Sequence, residues 1–232
     1  ETFNLGFASA GGDYVGILDD DVILPETFVA DMLAEFAQEP DTTAVLSPKV
    51  IEPELPVWYK DSPAVNTPRY MATFRGCASM ARASQLREAG FYDAELFIFG
   101  NERDLTTRLH TNGYRVKMVP GIEVFHKATF GVRHGRRSLY YHVRNYWIWA
   151  FKYLPWWRVL ATPFALVLKK KGGKGKDSGG EVSDAVGTIG IKDSIRAVPF
   201  GYWVCVRATF GALMKFRHCL RNRQVCKAPD FE

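Results

Sequence analysis

Cysteine is scarce here: Cys77, Cys205, Cys219 and Cys226 are the whole complement, and no two form a CxxC pair. That spacing provides neither a zinc ribbon nor a disulfide framework, and a reducing setting is the simpler reading. The opening ETFNLGFASAGG has no start methionine and no basic stretch leading into an apolar one. No secretory signal is therefore visible, and a fragment or processed product is expected. Uninterrupted apolar runs of about 20 residues, the length a spanning helix needs, are also missing. Arg144, Lys152 and Arg158, with Pro155 and Pro163, break the longest candidates. No Gly-rich turn follows a strand, where a phosphate cradle would sit; GFASAGG precedes its strand. Internal repeats are absent.

What is present is an ordinary globular composition, 47% hydrophobic and 24% charged over 232 residues, enough for one well-filled core and an appendage. Charge is unevenly placed. Up to His126 there are 10 basic and 19 acidic residues, and beyond it 20 and 6, so the halves carry −9 and +14. Such halves have different partners, the acidic one suited to metal-dependent chemistry and the basic one to anionic lipid or phosphate. We therefore divide the chain into an acidic domain, 1–126, suited to that chemistry, and a basic, aromatic region, 127–232.

Along the first half, DYVGIL (Asp13 to Leu18) is a short β-favouring run that stops at Asp19, Asp20 and Asp21. A helix is expected from about Pro25, with Phe28, Met32, Leu33 and Phe36 on its apolar face, and then a strand over Ala44 to Ile51. Four prolines between Glu52 and Tyr70 mark a surface loop. Further strands are expected at Phe74 to Ala83, Tyr114 to Val119 and Ile122 to Phe125. Between them lie a short helix ending at Gly90 and a longer one, Asn101 to Thr111, stopped by Asn112-Gly113. The alternation predicts an α/β layer around a mainly parallel sheet with helices on both faces. After His126, amphipathic helices lying in a membrane interface are expected, with Trp147, Trp149, Trp156 and Trp157 at headgroup depth. A Gly/Lys-rich linker is expected over 169–193, and a second interfacial segment over Ile195 to Phe216.

Two strings carry chemistry. In LDDDV, carboxylates crowd the end of a buried strand, an arrangement that is costly unless a cation neutralises it. A divalent ion bridging carboxylates and phosphates is one solution and a solvated acidic turn is the other. In FGNERDLTTRL, Asn101 suits an N-cap, Glu102 and Asp104 suit the positive helix end, and Asp104 can pair with Arg108 one turn on. That pairing, on an exposed flank, would be worth about half a kcal/mol.

The ordered set NLG, GDYVGILDDDV, GCASMAR, AGFYDAELFIFGNERDLTTRL, NGYRVKMVP and VFH resembles family 2 glycosyltransferases of the GT-A fold, bacterial rhamnosyl- and galactofuranosyltransferase-like members especially. The resemblance runs from about Asn4 to Pro155, through YYHVRNYW and YLP. It implies a Rossmann-like GT-A sheet whose usual first βαβ half is missing ahead of Asn4. LDDD matches the family's DxD motif, which implies Asp19 and Asp21 as ligands of Mg²⁺ or Mn²⁺, with His126 beside them. Asn4, Asp19, Asp20 and Arg136 are the implied donor-binding residues, with Arg133 and Arg137 as further phosphate partners. NERD departs from the family's acidic motif, since Asn101 and Glu102 stand where Glu and Asp are usual. Glu102 is the candidate base, and Asp104 the alternative.

The implied reaction is inverting transfer of a sugar from a nucleotide-sugar donor to a hydroxyl of a glycan or lipid-linked acceptor, in cell-envelope polysaccharide synthesis. The expected setting is peripheral, at the cytoplasmic face of the membrane, on an anionic surface. The rival from another class is an inactive or truncated membrane-associated scaffold. A nucleotidyltransferase or phosphohydrolase would show a Gly-rich phosphate loop or an aspartyl nucleophile motif. Nucleic acid is not expected as a partner, because the basic residues are interleaved with Trp and Leu.

Overall fold

The computed structural model describes residues 2–53, 57–127, 135–168 and 191–228. A short helix α1 (Thr2–Ser9) leads into strand β1 (Tyr14–Leu18), and a tight acidic turn separates β1 from β2 (Val22–Ile23). Then follow α2 (Phe28–Gln38), β3 (Thr43–Ile51), two single-turn helices α3 (Val57–Lys60) and α4 (Pro63–Asn66), and β4 (Arg69–Tyr70). Strand β5 (Ala78–Arg82), α5 (Ala83–Ala89), α6 (Asn101–Thr111) and the long β6 (Arg115–His126) complete the sheet region. Beyond it come α7 (Arg136–Tyr153), α8 (Trp156–Leu168), α9 (Ile191–Ala197), α10 (Gly201–Leu213) and α11 (Phe216–Arg221).

The sheet order is β1-β5-β3-β6-β2, with β4 added beside β6. It is mixed rather than mainly parallel. Only β3 and β6 run parallel, while β5 lies antiparallel between β1 and β3, and β2 and β4 lie antiparallel to β6. Sequence alternation cannot supply this, because a strand's pattern records which faces are buried and not the direction of its neighbours. The two extended pieces after Gly113 are one strand with an irregularity: Pro48 pairs with Val119 but Lys49 with Glu123, so 120–122 are extra on β6. The Pro-rich stretch likewise holds α3, α4 and β4 rather than loop alone.

Helices cover both faces. On one, Phe28, Met32 and Phe36 of α2, at the expected helical spacing, pack on Leu46, Val50, Met80 and Val124. On the other, Phe7 of α1, Leu86 of α5, and Leu105 and Leu109 of α6 pack on Ile17, Val45, Ala81 and Val116. Gly90, at φ 73°, closes α5, and Gly113, at φ 87°, follows the last turn of α6, both in the left-handed region glycine tolerates.

Helix α7 is not interfacial. It buries Leu139, Val143, Ile148, Trp149, Ala150 and Tyr153, and the Trp149 indole N–H donates to Thr107 Oγ1 of α6 at 2.9 Å. Of the four tryptophans expected at headgroup depth, Trp147 is half-buried and Trp149 is 4% exposed, while Trp156 and Trp157 are 42% and 65% exposed. Among the described residues no helix is long and apolar enough to cross a membrane. The proposed linker falls mostly on 169–190, outside the described residues, and its last residues, 191–193, open α9.

Candidate functional site

The acidic run sits in the turn joining β1 to β2. Leu18, the last residue of β1, pairs with Ala78, and the Asp19 N–H donates to the Cys77 carbonyl at 2.9 Å, which fixes where the turn begins. The turn ends where Val22 pairs with His126, the last residue of β6, and the Lys127 N–H donates to the Asp21 carbonyl. Residues more than a hundred positions apart are thus aligned by two short ladders. Asp19, Asp21 and His126 each bring one donor atom within 4.8 Å of the others.

His126 is oriented from behind. Its Nδ1 is 2.9 Å from Glu52 Oε1, and its Nε2 faces Asp21 Oδ1 at 3.2 Å. A carboxylate holding one ring nitrogen fixes the tautomer and aims the other, as around metal-ligating histidines. Glu52 follows β3 directly, in a stretch that offered no sequence signal. Burial, then the neighbouring Asp21, push the Asp19 carboxyl above its usual range, with His126 opposing. Carboxylate and imidazole donors at this spacing, with negative charge in excess, suit a divalent cation of the Mg²⁺ or Mn²⁺ kind. Asp20 is exposed and lies outside the donor set. Cys77, beneath the turn, has its thiol pushed up to about 12 by burial and is no nucleophile at neutral pH.

Helix α6 delivers the second carboxylate. Its N-cap is Gly100, at φ 77°, and not Asn101, which is the first helical residue. Glu102 therefore lies one position deeper in the first turn. A side chain on Gly76 would meet Glu102 Oε1 at 2.5 Å, so the glycine just before β5 makes the room in which this carboxylate lies. Burial first raises the Glu102 carboxyl above its usual range; a backbone N–H opposes the rise and the nearby Asp19 charge adds to it. The two acidic motifs thus meet electrostatically at one end of the sheet.

Tyr92 is held at both sides. Asn4 accepts from the Tyr92 N–H at 2.9 Å and donates to its carbonyl at 2.8 Å, while Arg108 donates to the carbonyls of Ala89, Gly90 and Phe91. The amide of Asn4 makes this clamp on the Tyr92 backbone, 88 positions away. Just before α6, Phe97 and Phe99 occupy the left-handed region at φ 64° and 66°, and Asn145 of α7 donates to the carbonyls of Leu96, Ile98 and Phe99. Left-handed backbone at bulky residues is strained and persists where the surroundings over-determine it, often beside a functional site.

Asp104 is elsewhere. It is fully buried and receives Lys152 Nζ at 2.5 Å, the Tyr153 hydroxyl at 3.0 Å and Arg108 Nε at 3.1 Å. The expected Asp104–Arg108 pair exists, yet it belongs to a buried network joining α6 to α7 and not to an exposed flank. Every carboxylate oxygen is occupied, which leaves Asp104 no reach to an acceptor. Arg136 also lies away from the acidic turn: its Nε donates to the Pro199 carbonyl and its guanidinium sits over Phe200. Arg137 lies over the Phe97 ring, and Arg133 falls outside the described residues.

Comparison with known proteins gives the following. Residues 1–99 match the model of Glycosyl transferase family 2. No curated protein sequence matches the chain. Among solved structures, GalNAc-T7 with UDP, GalNAc and Mn²⁺ aligns at a TM-score of 0.52 and 15% identity, covering 71% of this chain and 37% of that one. The Pyrobaculum calidifontis mannosyltransferase PcManGT with GDP-Man and Mn²⁺ aligns at 0.43 and 14%, covering 91% and 52%. S. aureus TarS 1-349 with UDP-GlcNAc aligns at 0.48 and 14%, covering 93% and 70%. This chain thus spans little more than a third of the length of GalNAc-T7, whose likeness carries the fold. Residues 1–99, with the carboxylate run among them, match the family 2 glycosyltransferase model, and the mixed sheet that they build together with β6 resembles that of GT-A glycosyltransferases.

Proposed function

We propose that this chain carries the catalytic part of an inverting, metal-dependent glycosyltransferase that uses a nucleotide-sugar donor. One observation carries the reading: Asp19, Asp21 and His126 converge at a sheet end that also holds the Glu102 carboxylate. Asp19, Asp21 and His126 would hold the cation, and Glu52 would keep His126 aimed. A bound Mg²⁺ or Mn²⁺ supplies charge against which a diphosphate leaves. The Mn²⁺ in the GalNAc-T7 and PcManGT structures, and the UDP and GDP-mannose bound there, agree with this reading.

Glu102 would accept the proton of the acceptor hydroxyl as its oxygen bonds to the anomeric carbon and the carbon–oxygen bond to the diphosphate breaks. A positioned carboxylate suffices, because the hydroxyl acidifies as it attacks. One displacement from the face opposite the leaving group inverts the anomeric configuration. The strained Phe97–Phe99 segment borders the entrance to α6 and would shape the acceptor side. A glycan or lipid-linked acceptor of cell-envelope polysaccharide synthesis fits the family resemblance.

The test is a donor-turnover screen of the full-length protein across UDP-, GDP- and dTDP-sugars with Mn²⁺ or Mg²⁺. Turnover should vanish in excess EDTA and fall on the order of a thousandfold in Asp21→Ala, the scale of a lost electrostatic stabiliser. Full activity in EDTA overturns the proposal.

A further inference from the structure

Helix α10 is built with its small residues inside and its large ones outside. Gly201, Val204, Ala208 and Ala212 form the buried stripe. Tyr202, Trp203, Val206, Phe210, Leu213 and Met214 are 73, 63, 58, 66, 50 and 71% exposed. These outer positions recur every three to four residues and so share one face. Arg207 is the helix's only charged residue. A helix facing water turns its polar residues outward, so this continuous apolar face is an interaction surface.

Packing forbids relief by rotation. A side chain on Gly201 would come within 2.0 Å of the Ile195 carbonyl oxygen, and one on Gly211 within 2.5 Å of the Tyr140 hydroxyl. Only small residues fit against α9 and α7, so the aromatic residues stay outside. Next to the patch, Phe200 is 76% exposed at φ 58°, held in the left-handed region at the start of the helix.

Charge identifies the occupant. From Ile195 to Ala228 there is no acidic residue, whereas Arg196, Arg207, Arg217, Arg221 and Lys227 are all exposed. Two copies joined through this face would bring these like charges together, which disfavours self-association. We infer that the outer face of α10 lies in an anionic lipid surface. The helix axis runs along the membrane plane, Tyr202 and Trp203 sit at headgroup depth, and the flanking arginines meet lipid phosphates. This face, and not α7, is then what holds the protein at a membrane. At a cytoplasmic leaflet, which is anionic, it would keep the sheet-end site close to lipid-linked acceptors.

The experiment is co-sedimentation of the full-length protein with phosphatidylcholine vesicles containing about a third phosphatidylglycerol, against phosphatidylcholine alone. Wild type should partition onto the anionic vesicles, weakened but not abolished by salt. Trp203→Glu/Phe210→Glu should lower that partitioning on the order of tenfold or more, and Arg207→Glu/Arg217→Glu should remove its salt-sensitive part. All four side chains are exposed, so circular-dichroism melts should match wild type. Wild type remaining in the supernatant, or the aromatic double variant sedimenting like wild type, overturns the inference. So does a dimer in sedimentation velocity that the aromatic variant dissolves without any vesicle binding, since the face would then meet a second copy. Vesicle binding is read without turnover, so its failure and that of the glycosyl-transfer reading are separate results.

Discussion

Two carboxylate clusters among the described residues are treated oppositely. Around Asp104, the chain supplies the counter-charge itself: Lys152 bridges Asp104 and Asp93, Arg108 completes Asp104, and His218 reaches Asp93 at 2.8 Å. Around Asp19 and Asp21, the partner within reach among the described residues is His126, which Glu52 also engages. A buried carboxylate that is paired and hydrogen-bonded can serve as a structural joint, here between α6, α7 and α11. A crowded group of carboxylates left in charge deficit gains nothing for the fold and calls for a cation from outside. The same residue type therefore serves architecture in one place and, on the proposed reading, chemistry in the other, and compensation is what separates them.

Substitution can break the contrast most sharply at its two centres. Asp104→Asn should destabilise by about 3 kcal/mol, since it leaves Lys152 buried with half its partners. Asp21→Ala should leave stability within about 0.5 kcal/mol of wild type while abolishing metal-dependent turnover. Urea melts on both variants decide, and an equal loss in the two would erase the distinction. Glu102 sharpens it next. Glu102→Gln should lower turnover on the order of a hundredfold with an unchanged melt. Near-normal turnover there, with collapse in a still-folded Asp104→Asn, would move the base to Asp104.

The smallest effect concerns acid. Burial would raise the Asp93 carboxyl, but the Lys152 charge and hydrogen bonds from His218, Lys152 and the Glu95 N–H outweigh it and hold Asp93 at about 2. A carboxyl depressed in the folded state stabilises above its unfolded pKa, about 4, and that contribution is lost as pH falls toward 2. Asp93→Asn should therefore lower stability at pH 7 and flatten its decline between about pH 4 and 2. Urea titrations at pH 7, 4 and 3 measure this, and an unchanged slope would show that the joint does not depend on this ion pair.

Local signals carried much of the fold. The Asn101–Thr111 helix was legible from the Asn112-Gly113 stop, α5 from Gly90, and α2 from the spacing of Phe28, Met32 and Phe36. The LDDDV turn was legible because carboxylates rarely crowd the end of a buried run without a reason. Lys152 was not: in WIWAFKYLP it looks like an interfacial lysine, and nothing nearby announces a partner 48 positions upstream. Glu52 was equally silent, since it matters only through its contact with His126, 74 positions away.

What the sequence determined by itself is most of the longer elements of the sheet region and the residue types that crowd at their ends, because periodicity, caps and turn chemistry act over a few residues. The tertiary structure alone decided strand direction, the meeting of Asp19 and Asp21 with His126, and which carboxylates have in-chain cations. Those depend on which segments the folded chain brings within a few ångströms, where Coulomb and hydrogen-bond forces act. Helix α10 shows the same division: its composition is plain in the sequence, but which of its stripes faces α7, and hence that its aromatics face outward, is fixed only by the close fit of Gly201 and Gly211.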